Sequence, residues 1–282
     1  MRIDLHAHST ASDGTSTPAE LVAEAAAAGL DVLGVTDHDT TSGWAPAAAA
    51  RPAGLTLVPG AELSCRWSGG PFPISLHLLA YLFDPTDPAL ASELARVRTA
   101  RETRAEGIVG LLNAGGIDVT WDEVLQDAAG GTVGRPHLAQ ALIRRGLVTT
   151  VSEAFEPQWL GRRYRLPKED LDVFAALRLV VAAGGVPVFA HPRASKRGPV
   201  VPDSLIVEMA AAGLFGLEAD HTDHTPQEQA EIHALAHRLG LVTTGSSDYH
   251  GTNKTVRLGA RMTTPETLDQ ITKAAHGTTP IG

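Results

Sequence analysis

The chain of 282 residues has a single cysteine, Cys65. A disulfide framework is therefore excluded, and so is a zinc site built from cysteines. Lysine is scarce, with only Lys168, Lys196, Lys254 and Lys273. Positive charge as a whole falls short: 23 Lys plus Arg face 32 Asp plus Glu, for a net charge of −9. That deficit argues against broad binding to long duplex nucleic acid, which needs a basic surface. A small anionic substrate stays open, because cations in a pocket set the local field. No apolar run approaches the roughly 20 residues a membrane span needs, so no membrane partner is expected. The segment Arg2-Ile3-Asp4-Leu5-His6 has no basic stretch followed by an apolar one. No signal peptide is expected on that ground, and a cytoplasmic protein is.

What the chain does have is histidine, 12 in all, in a composition otherwise ordinary for a globular protein. Short β-branched or apolar runs alternate with Ala/Leu-rich helical stretches, which argues for a parallel sheet with crossover helices. Strands are expected at Arg2–His6, Val32–Thr36, Leu55–Pro59, Ile74–Leu82, Val186–Ala190, Leu214–Glu218 and Leu241–Gly245. Thr17-Pro18-Ala19-Glu20 is a capping box with proline at the first helical position. Between strands four and five the alternation breaks. An Arg- and Ala-rich segment there predicts helices at Pro88–Asn113, Trp121–Ala128 and Pro136–Arg145. The division this suggests is a barrel over residues 1–84 and 171–282, interrupted by a helical cap over residues 85–170.

The chemistry sits at the strand ends. His6 and His8 close the first strand, and alternate residues on a strand face the same side. Alone, His-x-His is a weak motif, and Ser12-Asp13-Gly14 alone is ordinary turn chemistry. Strand two then ends in Thr36-Asp37-His38-Asp39, too many charges for packing to explain. Strand three ends near Glu62, strand four contains His77, and strand five ends in His191-Pro192. Strand six ends in Glu218, followed by His221 and His224; strand seven leads into Ser247-Asp248-Tyr249-His250. Parallel barrels build their active sites at this end. The expected metal ligands are therefore His6, His8, Asp13, His38, Glu62, His77, His191, Asp248 and His250. All are nitrogen or oxygen donors, which suits zinc, manganese or iron. They are too many for one ion, so two or three divalent ions with a shared carboxylate are expected.

At this point the residues resemble the polymerase and histidinol phosphatase (PHP) family of metallo-phosphoesterases. The resemblance rests on Asp4-Leu5-His6-Ala7-His8-Ser9 with Ser12-Asp13-Gly14, Thr36-Asp37-His38-Asp39, Gly60-Ala61-Glu62 and His77-Leu78-Leu79-Ala80-Tyr81. It continues through Gly134-Arg135-Pro136-His137, Ala190-His191-Pro192 and Ser247-Asp248-Tyr249-His250. It implies a distorted (β/α)₇ barrel with a helical insertion over its C-terminal face and a trinuclear site. One ion would take His6, His8, Glu62 and Asp248; a second Glu62, His77 and His191; a third Asp13, His38 and His250. The insertion resembles the subgroup that acts on nucleoside 3′,5′-bisphosphates, on nucleoside monophosphates or on short RNA from its 5′ end.

The implied reaction is phosphate-ester hydrolysis by metal-bound hydroxide, with Glu62, His191 and Asp248 as its catalytic residues. Arg135 is the leading phosphate clamp, since a guanidinium fork matches a phosphate bidentately. His137, Lys196, Arg197 and His221 are further substrate contacts, His221 alternatively supporting a ligand from behind. Arg101 and Arg104, one turn apart, read as a solvated helix face, as do His233 and His237. Three readings compete with a nucleotide phosphatase. Histidinol phosphate or another small phosphate ester fits the same kind of pocket. A carbon–nitrogen hydrolase also opens with His-x-His, although many of those bridge two metals with a carboxylated lysine. No lysine here lies on an expected ligand strand, and Glu62 can bridge instead. A barrel that only binds nucleotides would keep the ligands without turnover. Oligomeric state is not legible.

Overall fold

The computed structural model describes residues 1–282. In chain order the elements begin with β1 (Ile3–Ala7), α1 (Pro18–Ala27), β2 (Val32–Val35), α2 (Trp44–Ala50), β3 (Thr56–Trp67) and β4 (Ile74–Tyr81). Four helices follow without a strand: α3 (Pro88–Ala114), α4 (Trp121–Ala128), α5 (Arg135–Arg144) and α6 (Val151–Ala154). The chain then returns through β5 (Leu171–Asp172), α7 (Val173–Ala182), β6 (Val186–Phe189), α8 (Asp203–Ala211), β7 (Gly216–Asp220), α9 (Pro226–Leu239), β8 (Val242–Gly245) and α10 (Pro265–Ala274). The capping box at Thr17 forms as read: Glu20 N donates to Thr17 Oγ1 at 3.2 Å, and Thr17 N to Glu20 Oε2 at 2.8 Å.

The strands form a nearly closed barrel in the order β1-β2-β3-β4-β6-β7-β8, with the short β5 paired to β3. The ends of that order approach where His8 N donates to Tyr249 O at 2.9 Å. Two features depart from a simple parallel alternation. β4 runs antiparallel to both β3 and β6. β3 continues from Thr56 to Trp67, well past the expected stop at Pro59, and forms a long hairpin with β4. The connection between them is the Gly- and Pro-rich Ser68–Pro73, too short for a crossover helix, so antiparallel pairing is the available geometry. This reversal accounts for His77. In an antiparallel strand the first half, not the last, reaches the face where the parallel strands end. His77 sits opposite Ser64, one pair beyond Leu63↔Leu78.

Outside the barrel, two buried clusters fill the space between helices and sheet. The larger holds Leu63, Leu78, Phe83, Leu177, Val180, Leu205 and Leu217 among others. Leu21, Val22, Leu33, Leu55 and Leu57 belong to the second, under α1 and α2. Helices α3 to α6 have their own core, in which Ile108, Leu112, Leu138, Leu142 and Leu160 are fully enclosed. Each such side chain contributes about 1.5–3 kcal/mol by leaving water. This helical unit is pinned to the loops at the strand ends. Thr132 N donates to Ala11 O at 2.8 Å. Gln140 Nε2 donates to Asn253 Oδ1 at 2.6 Å, and Asn253 Nδ2 in turn to Asp13 O at 2.9 Å. No helix is long and apolar enough to cross a membrane.

Candidate metal centre

The strand ends bring all nine expected ligands together. Eight are buried, and His77 is partly exposed. Their donor atoms fall into three overlapping groups, each within 4.8 Å throughout: His6, His8, Glu62 and Asp248; His38, Glu62 and His77; and His8, Asp13, His38 and His250. His191 joins through its Nε2, 3.0 Å from Glu62 Oε1.

Glu62 is the hub. Its Oε1 faces His77 Nδ1 at 2.7 Å and His191 Nε2 at 3.0 Å. Its Oε2 faces His6 Nε2 and His8 Nε2, each at 3.2 Å, and His38 Nδ1 at 3.3 Å. Burial by itself would raise the Glu62 carboxyl, but the imidazoles of His77, His6 and His38 hold it well below its usual range. His191 responds in the opposite sense: burial, and then the Arg197 guanidinium, push it down to about 3, so it is a neutral donor.

The residues fit divalent ions on two observations. Asp13 Oδ1 and Asp248 Oδ1 are buried without a hydrogen-bond partner. Also, His6 Nε2 and His8 Nε2 lie 3.1 Å apart with Asp248 Oδ1 at 3.4 Å from both. Nitrogen lone pairs and carboxylate oxygens crowded so closely in a buried space call for a cation between them.

Local backbone geometry aims these side chains. Asp39, His191 and Asp248 all have left-handed φ, at 54°, 33° and 54°. Non-glycine residues there cost on the order of 1 kcal/mol each, which surrounding contacts must offset. Those contacts come from buried carboxylates outside the ligand set. Asp37 accepts from Ser9 N at 2.8 Å and from Ser12 Oγ at 2.7 Å, which fixes the loop carrying Asp13. Gly14 closes the same loop so tightly that a Cβ would lie 2.3 Å from His8 O. Asp4 accepts from Ser247 N at 3.0 Å and Gly259 N at 2.8 Å, on either side of the Asp248–His250 turn. Asp39 accepts from Ser64 N at 2.7 Å, two residues beyond Glu62.

The expected substrate contacts divide. Arg197 reaches the centre, with Nη2 2.6 Å from Asp248 Oδ2 and Nε 2.7 Å from Asp223 Oδ2. Its neighbour Lys196 is exposed. His221 is fully buried behind Asp248, its Nε2 3.4 Å from Oδ2, a position that suits support of the carboxylate. His137 is also buried, and its Nδ1 accepts from Gly134 N at 2.9 Å. Arg135 stacks over the Phe155 ring at 5.1 Å, lies close enough to Arg104 and Lys168 to lower both, and is itself lowered by burial and then by Arg165 and Arg101.

The solvated reading of Arg101 and Arg104 is wrong. Arg101 is mostly enclosed and pairs with Asp39 Oδ2 at 2.7 Å, while Arg104 Nη2 is buried without a partner. Lys254, not singled out from the sequence, donates to Asp248 Oδ2 at 2.7 Å. Its place in a Gly/Thr/Asn loop after the last ligand was a signal of position only. His233, by contrast, is an exposed partner of Asp220 as expected.

The chain is also similar to known proteins. Residues 4–92 match the PHP domain. The chain is 34% identical over 265 residues to a 5′-3′ exoribonuclease of Haemophilus influenzae, covering 93% of this chain and 94% of that protein. It is 33% identical over 251 residues to a 3′,5′-nucleoside bisphosphate phosphatase of Chromobacterium violaceum, covering 88% of this chain and 87% of that protein. A structure from Bifidobacterium adolescentis, described as a metal-dependent phosphoesterase, superposes with a TM-score of 0.90 at 34% identity over 97% of this chain and 96% of its own. Convergent nitrogen and oxygen donors at the barrel rim and near full-length similarity lead to one assignment: the chain belongs to the PHP family of metal-dependent phosphoesterases, hydrolases of phosphoester bonds.

Proposed function

We propose that this enzyme removes phosphate from nucleotides, with a nucleoside 3′,5′-bisphosphate as the best substrate and 5′-mononucleotides or short 5′-phosphorylated RNA as weaker ones. The observation that carries this is a second cationic site beside the metal centre. A shallow, open cleft there is lined by Arg101, Arg104 and Lys168 together with Glu169 and Asp170. Asp39 neutralises Arg101, and Asp170 lies 3.6 Å from Lys168. Arg104 has no carboxylate; its Nε donates to Leu166 O at 2.9 Å and its Nη2 to nothing. Burial, and then the Arg135 guanidinium, push Arg104 down to about 10. Burial also brings Lys168 down to about 8, Arg101, Arg135 and Arg104 adding to it against the pull of Asp170. A part-buried Arg104 guanidinium with no carboxylate of its own and Arg135 beside it favours an anion, and a second phosphate supplies one. The names of the Haemophilus and Chromobacterium relatives point to the same substrate class.

In this reading His6, His8, Glu62 and Asp248 would hold one ion; Glu62, His77 and His191 a second; and Asp13, His38 and His250 a third. Manganese, zinc and iron all suit these donors. Ions held there supply Lewis-acid activation of water and neutralise charge at phosphorus. The chain's own contribution is placement. Glu62 presents one oxygen to each of two ligand groups. Arg197 and Lys254 restrain the outer oxygen of Asp248, so that its inner oxygen faces His6 and His8. Residues 85–170 act as a cap whose Arg104 and Arg135 take the non-reacting phosphate. Loss of Asp13 or His250 would then empty one ion site while leaving the others filled, which elemental analysis of the purified variants reads directly.

The test is a phosphate-release comparison with Mn²⁺ of 3′,5′-bisphosphoadenosine, AMP, a short 5′-phosphorylated RNA and histidinol phosphate. The bisphosphate should have the highest kcat/KM. Arg104→Ala and Arg135→Ala should each lower that value by roughly 10- to 100-fold, the worth of one charge-assisted hydrogen bond at about 1.5–3 kcal/mol. AMP turnover should change less. Fastest turnover of histidinol phosphate, or unchanged bisphosphate kinetics in both variants, refutes the reading.

A further inference from the structure

Glu218 is a fully buried carboxylate outside the expected ligand set. It lies in the middle of β7, far along the chain from β1, yet its Oε1 accepts from His6 Nδ1 at 2.9 Å. Its Oε2 accepts from His191 N at 2.8 Å. Both oxygens are therefore committed, each to a residue of a different proposed ion. The first contact decides a tautomer. A carboxylate only accepts, so His6 Nδ1 carries a proton, and Nε2, which faces His8, Glu62 and Asp248, is the nitrogen left for a metal. The second contact holds a strained residue. His191 has φ of 33°, and the bond to its N–H fixes the peptide that turns the ring toward Glu62.

We infer that Glu218 is a positioning residue that prepares two metal ligands at once, His6 through its tautomer and His191 through its backbone. The inference rests on the ligand assignment proposed above. It departs from a merely structural role in one respect. Any well-packed side chain could fill the space, but only an acceptor at both ends satisfies both partners. Glutamine has nearly the same shape and offers an acceptor at one end and a donor at the other. In Glu218→Gln the amide must face either His6 or His191 with its NH₂. Facing His6, it drives the ring proton to Nε2, where a metal would bind. Facing His191, it opposes one N–H with another and frees the left-handed turn.

The experiment measures the metal-free and Mn²⁺-titrated protein side by side. Wild type should bind Mn²⁺ with the stoichiometry of the full centre, and ¹⁵N NMR of the metal-free protein should find His6 protonated at Nδ1. Glu218→Gln should lose 10- to 100-fold in Mn²⁺ affinity, the usual effect of removing such a partner. That loss should fall on the ions sharing Glu62, while the group of Asp13, His38 and His250 keeps its ion. Glu218→Asp retains the charge but is too short to reach both partners. It should show the same selective loss and serves if the glutamine variant does not fold. Unchanged Mn²⁺ affinity and an unchanged His6 tautomer in the folded variants overturn the inference. Failure of wild type to bind Mn²⁺ would instead overturn the ligand assignment beneath it.

Discussion

Glu62→Gln should reduce kcat/KM by roughly a thousandfold or more, the largest functional effect expected of any single substitution in this chain. The carboxylate has five imidazoles within 3.3 Å, split between its two oxygens. Asp248 faces four imidazoles and Asp13 three, so no other carboxylate of the centre gathers as many. The amide replaces one acceptor oxygen with an NH₂ that cannot ligate and removes the charge that two ions would share. Charge stabilisation by such ions is worth several kcal/mol in the transition state. At 1.36 kcal/mol per decade, losing about 4 kcal/mol is three decades in rate. Steady-state phosphate release and metal analysis on the same sample check this. A variant that kept a tenth of the activity with a full metal complement would sink the role of Glu62 as hub. The neighbouring imidazoles give a further handle. They hold the Glu62 carboxyl low against the effect of burial, so it stays ionised throughout the neutral range. Activity lost on mild acidification must therefore come from other groups.

Apart from Asp13, which sits in a turn, the ligands were legible in the sequence because they fall at or just beyond the end of a short apolar run. Period-two side-chain alternation and the polarity of a barrel then place them on one face. His77 was a further exception. Its place inside an apolar run made sense only once β4 was found antiparallel, and a strand's direction is set by its partners rather than by its own residues. The supporting carboxylates were visible as residues but not as roles. Glu218 is separated from His6 by 212 positions and Asp4 from Ser247 by 243. No local pattern marks one buried Asp as a ligand and the next as an anchor. In Thr36-Asp37-His38-Asp39 only His38 turns into the centre, while Asp37 and Asp39 bond to the loops beside it. The helices of residues 88–144 were readable from composition and caps, yet their orientation was not. An arginine pair one turn apart on a helix reads as solvated until the partner surface is known. For Arg101 and Arg104 that surface is the barrel rim.

Arg101→Met should be the most destabilising substitution at the junction between helices and barrel, by about 3 kcal/mol. Arg101 is the tie between α3 and the ligand-bearing loop after β2. Its Nε pairs with Asp39 Oδ2 at 2.7 Å, and its Nη2 donates to Ser64 Oγ at 2.5 Å. Arg98 adds a bond to Asp39 O at 2.7 Å. Methionine fills much of the same volume but leaves Asp39, only 1% exposed, without its cation. Breaking a buried pair from one side costs about 3–5 kcal/mol. The lower end applies because Ser64 N and Oγ still donate to Asp39 at 2.7 and 2.8 Å. For a chain of this size that corresponds to a fall of roughly 6–10 °C in Tm. Removing both charges in Arg101→Met/Asp39→Asn should recover part of the stability, since no unpaired charge stays buried while the amide still offers an acceptor to Ser64 and tolerates the left-handed φ of 54°. Activity should not return with it, because the bond from Arg101 to Ser64 Oγ and the tie between α3 and the loop carrying His38 are still missing. Thermal denaturation and phosphate release on the single and double variants separate the two effects. Recovery of both together would mean that the pair serves stability alone, and an unchanged Tm in the single variant would mean that Arg101 is not the tie the geometry describes.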